Sequence, residues 1–190
     1  MKILVTGSIA YDILLSYDGS YVDAIDKENL DDLSLSFFSP HYTRHLGGTG
    51  ANIAWNISLL EGEPLLVGAV GKDGDDYLVI LRERGIATDY VQIFRSQVTA
   101  TAIIGTDSAG HQIAFFHPGA DSLGIWPAIE DDDIAHAIVS PRDKGAMIEG
   151  IEWCSNKTIP VLFDPGQQAI AFTKDEYERL LPMSAGLIAN

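Results

Sequence analysis

The clearest candidate chemistry lies in a glycine loop that opens a helix. Gly47-Gly48-Thr49-Gly50 runs directly into Ala51-Asn52-Ile53-Ala54, an apolar run at helical spacing. Glycine has no Cβ, so its backbone N–H groups can come very close to a bound molecule. The positive N-terminal end of the following helix would face the same place. Asn52 falls in the first turn, where its amide can reach a hydroxyl. Asn52 and Asn56 share one face at i,i+4, which leaves Ile53, Ile57 and Leu60 for the core. The alternative reading is structural, a loop packed tightly onto a helix. Asp12 is the second candidate. It follows a short apolar run, Ile3 to Thr6, at the point where a loop leaves the carboxyl end of a buried strand. Ligands of open α/β sheets collect at such ends. The carboxylate can accept from two neighbouring hydroxyls, or it can serve a turn or a cap.

These residues must be held by regular elements, and the pattern supplies them. Ile3 to Thr6 reads as a buried strand, Tyr42 to Leu46 as a strand feeding the glycine loop, and Gly50 to Leu60 as the helix. Leu65 to Val70 is a second buried strand. Asp73 is placed to cap a helix from about Asp75 to Arg84, with Gly85 as its stop. Tyr90 to Phe94 is a strand. Thr99 to Ile104 and His111 to His117 are rich in β-formers around a Gly-Thr-Asp-Ser-Ala-Gly connector, a hairpin signal. Ala137 to Ser140, Pro160 to Phe163 and Leu187 to Ala189 read as strands, and Lys144 to Asn156 as a helix. Thr173-Lys174-Asp175-Glu176 is a capping box. Strands alternating with helices predict an α/β fold with a mostly parallel sheet and helices on both faces. Residues 16 to 40 read as an acidic loop in which Asp31-Asp32 is solvated and Phe37-Phe38 packs or covers something.

Composition excludes several classes. Twelve basic residues against 27 acidic ones give a formal charge of −15, which disfavours nucleic acid and anionic membranes as partners. The single cysteine, Cys154, allows no internal disulfide framework and no CxxC knuckle. Beside Trp153 it reads as an inert buried thiol. No apolar run reaches membrane-span length, and the start reads as a core strand instead of a signal peptide. The expectation is a soluble, cytoplasmic protein. A Walker loop fails at Leu66 and Asp73, and a dinucleotide fingerprint fails at Ile53. Asp131-Asp132-Asp133 points its carboxylates in different directions, so cap and solvated loop are preferred to a metal site.

Taken with its downstream glycines, the loop carries a family resemblance. Gly47 to Ala54, then Gly62, then Val67-Gly68-Ala69-Val70-Gly71-Lys72-Asp73-Gly74, resembles the N-terminal signature of the ribokinase-like (PfkB) carbohydrate and nucleoside kinases. The likeness extends to Gly7-Ser8-Ile9-Ala10-Tyr11-Asp12, Gly85 to Asp89, Val139 to Asp143 and Phe163 to Gly166, essentially the whole chain. It implies one ribokinase-like domain over 1–190 with a small β-sheet lid built from segments near 12–46 and 98–117, the C-terminal part of the fold being absent. It implies ATP-dependent, Mg²⁺-assisted phosphoryl transfer to an alcohol of a sugar or ribonucleoside. Asp12, Gly47, Gly48 and Asn52 match the family's acceptor-binding positions, and Gln112 and Phe115 are expected to look into the site from the lid. Phe116 to Ala120 and Ser140-Pro141 lean toward the adenosine-kinase-like branch. A sugar kinase for ribose, fructose or a keto-deoxy acid is the alternative.

The resemblance also marks what these residues lack. The family's catalytic aspartate lies in a glycine–alanine–glycine–aspartate segment that is not found here, and Gly71-Lys72-Asp73-Gly74 belongs to the N-terminal signature instead. No catalytic residue is therefore assigned, and Asp164 is not a substitute. Asn190 matches the first position of an Asn-x-x-Glu motif that organises the nucleotide phosphates. The 190-residue chain alone is expected to be inactive or nearly so. A non-catalytic remnant that binds sugar or nucleoside is the reading from another class. An apolar sheet edge leaves room for homodimer formation.

Overall fold

The computed structural model describes residues 1–25 and 34–189. Asp31-Asp32 and Asn190 lie outside the described residues. Two sheets share the chain. The central sheet has six parallel strands, β1 (Lys2–Thr6), β4 (Glu63–Gly71), β5 (Ala87–Phe94), β8 (Ile134–Val139), β9 (Val161–Phe163) and β10 (Gly186–Leu187). Their order is β10-β9-β8-β1-β4-β5. The second sheet has four strands, β2 (Ala10–Ser16), β3 (Tyr42–Gly47), β6 (Ala100–Thr106) and β7 (Gln112–His117), in the order β3-β2-β6-β7. This is the second, small sheet expected beside the parallel one.

Alternation along β1 sends neighbouring side chains to opposite faces. Leu4 joins one core with Val139, Met147, Ile151 and Phe163, under helices α4 (Lys144–Asn156) and α5 (Lys174–Leu180). Val5 joins the other with Ala54, Leu66, Tyr77 and Leu81, under α2 (Thr49–Leu59) and α3 (Asp75–Glu83). Both faces of the parallel sheet are therefore covered, as near-continuous apolar strands require. The capping box at Thr173 and Glu176 forms, with both reciprocal hydrogen bonds made. Cys154 is fully buried, and burial pushes its thiol up to about 12.

Four expectations are corrected. Leu60 follows α2 at its cap and is 83% exposed, so Gly50, Ala51 and Ala54 carry the buried face and Ile53 and Ile57 only flank it. Small residues bury best here because the helix lies almost on the strand backbone. Asp12 sits inside β2 of the lid sheet and not on a loop. Asp73 does not cap α3. Gly74 is the N-cap, and the Asp73 carboxylate instead accepts from Thr99. Phe37 packs 4.8 Å from both Tyr17 and Tyr21, whereas Phe38 is 83% exposed among the described residues. A short helix α1 (Tyr21–Ala24) falls within the stretch read as loop.

Candidate functional site

The strand order reverses at β1. The chain first builds outward through β4 and β5, then returns to place β8 on the other side. The crevice at the carboxyl ends of β1 and β8 is where such sheets bind ligands, and a cleft of about 650 Å³ opens there. Asp12, Gly48 and Asn52 line it.

Backbone contact between glycines sets the near wall. A Cβ on Gly50 would lie 2.7 Å from the Gly7 carbonyl carbon, and one on Gly7 would lie 2.8 Å from Gly50 Cα. Gly48 has φ 90°, and its Cβ would meet Ser8 O at 2.5 Å. Only glycine tolerates both demands. Ser8 takes up the first amides of α2. Its Oγ accepts from Thr49 N at 3.1 Å, and its carbonyl accepts from Gly50 N and Ala51 N at 3.0 and 3.3 Å. The glycines thus serve close packing, and these three amides are spent on Ser8 and not presented to a ligand. Thr49 Oγ1 donates to Pro141 O at 3.0 Å, and Ser140 Oγ donates to Thr6 O at 2.9 Å. The ends of β1, β8 and α2 are thereby tied together.

The lid supplies the opposite wall by register. His45, Asp12, Ala102 and Phe116 are cross-strand partners in one row and share one face. Asp12 is half-buried, and burial raises its carboxyl above the ordinary aspartate range, with attraction to His45 opposing this in part. Gly47 clears the space beside it, since a Cβ there would fall 2.1 Å from Asp12 Oδ2. Asn52 is exposed on α2 and lines the cleft, and its backbone carbonyl accepts from Asn56 Nδ2 at 2.7 Å.

Gln112 and Phe115 are not among the lining residues, and Phe116 takes their place. They differ in parity along β7, so one face cannot present both. Phe115 faces away from the Asp12 row, and Gln112 bonds Thr106 Oγ1 at the far end of the hairpin. Gly47 is not among the lining residues either; it lies on the same face as Asp12, beside its carboxylate. Asn190 lies outside the described residues.

The floor holds residues that motif spacing does not flag. Arg142 and Asp121 form an ion pair at 3.2 Å with side chains 1% and 3% exposed. Arg142 also donates to Thr6 Oγ1, and Asp121 accepts from Asp143 N. Burial raises the Asp121 carboxyl, and Arg142 offsets only part of this. Gln167 and Gln168, in the turn after β9, bring two amides to the cleft, beside Asp164. Their signal was positional: they follow the carboxyl end of a parallel strand. The lining carries four carboxylates, Asp12, Asp121, Asp143 and Asp164, against Arg142 and Lys144. Lys144 is already committed to Glu176 at 3.0 Å. A neutral, hydroxyl-bearing molecule suits this field better than an anion.

Comparison with known proteins supplies the family and agrees with the fold. The family model described as pfkB family carbohydrate kinase matches residues 5–190. A nucleoside kinase from Methanothermobacter thermautotrophicus is 29% identical over 151 residues, covering 76% of this chain and 48% of that protein. A nucleoside kinase from Thermoplasma acidophilum is 27% identical over 190 residues, covering 97% of this chain and 58% of that protein. The chain thus spans about half the length of the curated relatives it matches. The solved Burkholderia thailandensis nucleoside kinase in complex with inosine superposes with a TM-score of 0.84 at 31% identity, over 98% of this chain and 59% of that one.

Proposed function

The chain belongs to the pfkB family of carbohydrate kinases, and from that premise we propose that it forms the acceptor-binding part of an ATP-dependent nucleoside kinase. The observation that carries this reading is the cleft itself. Asp12 on the lid and Asn52 on α2 face one space as hydroxyl partners, Phe116 offers an aromatic face in the Asp12 row, and Gln167 and Gln168 offer amides that suit a base edge. The excess of carboxylates favours a neutral purine ribonucleoside, adenosine or inosine, over a keto-deoxy acid. The Burkholderia kinase, solved with inosine and with ADP and inosine, supports the same choice of acceptor and donor.

The donor would lie beyond Asp164, where a second hollow of about 370 Å³ is lined by Asp164, Gly166, Ile188 and Ala189. The described residues contain no group of three or more metal-ligating side chains. Mg²⁺ would arrive with the nucleotide phosphates, held on the protein side by one carboxylate such as Asp164, since this ion commonly keeps few protein ligands beside substrate phosphates. Phosphoryl transfer also needs an aligned hydroxyl, a stabilised γ-phosphate and a proton acceptor. In this reading the residues of the cleft hold the hydroxyl.

Calorimetric titration of the chain with inosine, adenosine, ribose and fructose tests the acceptor. Nucleosides are expected to bind more tightly, and a preference for either free sugar reverses the assignment. A coupled ATP-consumption assay with Mg²⁺ and the preferred nucleoside tests the rest. Turnover at an ordinary kinase rate would place a proton acceptor among these residues and make Asp164 the first residue to replace.

A further inference from the structure

The Gly71-Lys72-Asp73-Gly74 segment has no part in the cleft, yet the lid strands meet on it. Asp73 Oδ1 accepts from Thr99 N at 2.7 Å and from Thr99 Oγ1 at 2.8 Å, immediately before β6 begins. Thr99 Oγ1 in turn accepts from Gly71 N at 3.0 Å, and Lys72 N donates to Gln97 O at 2.8 Å. The glycines clear this approach. A Cβ on Gly71 would lie 2.4 Å from Thr99 N, and one on Gly74 would lie 3.1 Å from Thr99 Oγ1. The root of β2 is held as well, because Tyr11 donates its hydroxyl to Asp73 O at 2.9 Å. On β3, Arg44 stacks 3.4 Å over the Tyr11 ring and reaches Asp73 Oδ2 at 3.6 Å. Tyr77, buried one turn into α3, donates to Gly47 O at 2.6 Å where β3 ends. The neighbouring Asp75 is occupied by Arg95, so it does not compete for Arg44.

We propose that Asp73 is a positioning residue for the acceptor site: it fixes the roots of β3 and β6 and so sets the pitch at which the lid carries Asp12 and Phe116 over α2. Two opposite partners divide its carboxylate. Thr99 holds one oxygen through the backbone and hydroxyl, and Arg44 is drawn to the other. Desolvation opposes the charge of Asp73, but the Thr99 hydrogen bonds and Arg44 outweigh it and keep the carboxyl below the usual aspartate range. The charge is thus available to Arg44 at neutral pH. The lid sheet shares no strand with the central sheet, so its orientation depends on mounts of this kind.

That the lid covers a nucleoside rests on the proposed function, whereas the mount does not, and the experiment separates them. Hydrogen exchange measured by mass spectrometry is run on the chain without ligand, and inosine affinity is measured by calorimetry. Asp73→Ala is expected to speed exchange in Tyr42–Gly47 and Ala100–Thr106 by about tenfold or more, the equivalent of one charge-assisted hydrogen bond, with Lys2–Thr6 and Ile134–Val139 unchanged. Asp73→Asn keeps an oxygen for Thr99 and loses the attraction to Arg44, so it should restore Ala100–Thr106 and leave Tyr42–Gly47 fast. Arg44→Ala should loosen Tyr42–Gly47 alone, and together with Asp73→Asn it decides the matter if Asp73→Ala does not fold. Inosine affinity should fall by about tenfold in Asp73→Ala and recover in part in Asp73→Asn. Lid exchange equal to that of the unaltered chain, or a uniform rise that includes Lys2–Thr6, overturns the mount. Absence of inosine binding by the unaltered chain counts against the proposed function, and the exchange result still decides the mount.

Discussion

The two flanks of the crevice are built differently. On the α2 flank, helix and strand meet backbone to backbone through Gly7 and Gly50, and Ser8, Thr49 and Ser140 bond one another and the chain around them. On the β9–β10 flank the strands are three and two residues long, and the apolar side chains nearby stand open: Ile170 is 96% exposed, Leu187 46% and Ile188 48%. The first flank fixes the site's geometry by exclusion of side-chain atoms. The second presents surface. A substitution on the first should therefore cost stability and binding together, whereas one on the second should change association more than folding.

The strongest way to break that contrast is Gly50→Ala. Its Cβ would enter the Gly7 backbone, which cannot swing aside as a side-chain tip can, so a loss of about 1–3 kcal/mol or more is expected. Gly48→Ala adds the strain of a left-handed φ to a clash with Ser8 O and should be comparably damaging. Thermal unfolding of both variants checks this, and melting temperatures like that of the unaltered chain would mean the flank can relax.

Asp12→Ala should leave folding nearly intact, because the Asp12 carboxylate makes no hydrogen bond among the described residues, and weaken nucleoside binding by about 1.5–3 kcal/mol. An unchanged calorimetric affinity would remove Asp12 from the site. The same carboxylate sets a pH dependence. The ionised form accepts from hydroxyls more strongly than the protonated one, through a charge-assisted bond, and burial raises its pKa. Affinity should be full at neutral pH and decline as pH falls, beginning at a higher pH than for a solvated aspartate, and Asp12→Asn should abolish that decline. Titration across mildly acidic pH decides it.

The smallest expected effect sharpens the other side of the comparison. Ile170→Ser removes a side chain that folding does not bury, so the unfolding free energy should move by less than about 0.5 kcal/mol. Self-association read by analytical ultracentrifugation should decrease. A large loss of stability would show that this flank is packed in solution.

Much of this was legible before any coordinates. The capping box at Thr173, the helix from Lys144 to Asn156 and the hairpin around Gly105–Gly110 follow from local rules, since caps, turns and periodicity act within a few residues. The glycine loop and Asp12 were legible as a pair because spacing and family resemblance point to the same positions. The exchange of Phe115 for Phe116 was not. Both are aromatic and adjacent, and only the pairing of β7 with β6 determines which of them shares a face with Asp12. Leu60 failed for a related reason, because a helix pressed against Gly7 buries alanines in place of leucine.

Sequence by itself determined most of the element types and the α/β class, because these depend on side-chain chemistry and short-range geometry, and with the family resemblance it marked Asp12, Gly48 and Asn52 as candidates. Tertiary structure alone decided how the elements share their polar groups. Ser8 claims the first amides of α2, Asp73 leaves its expected helix cap for Thr99 across a gap of 26 residues, and Arg142 meets Asp121 out of solvent. Each of these partners is distant along the chain, and burial leaves a polar group little choice but to find one.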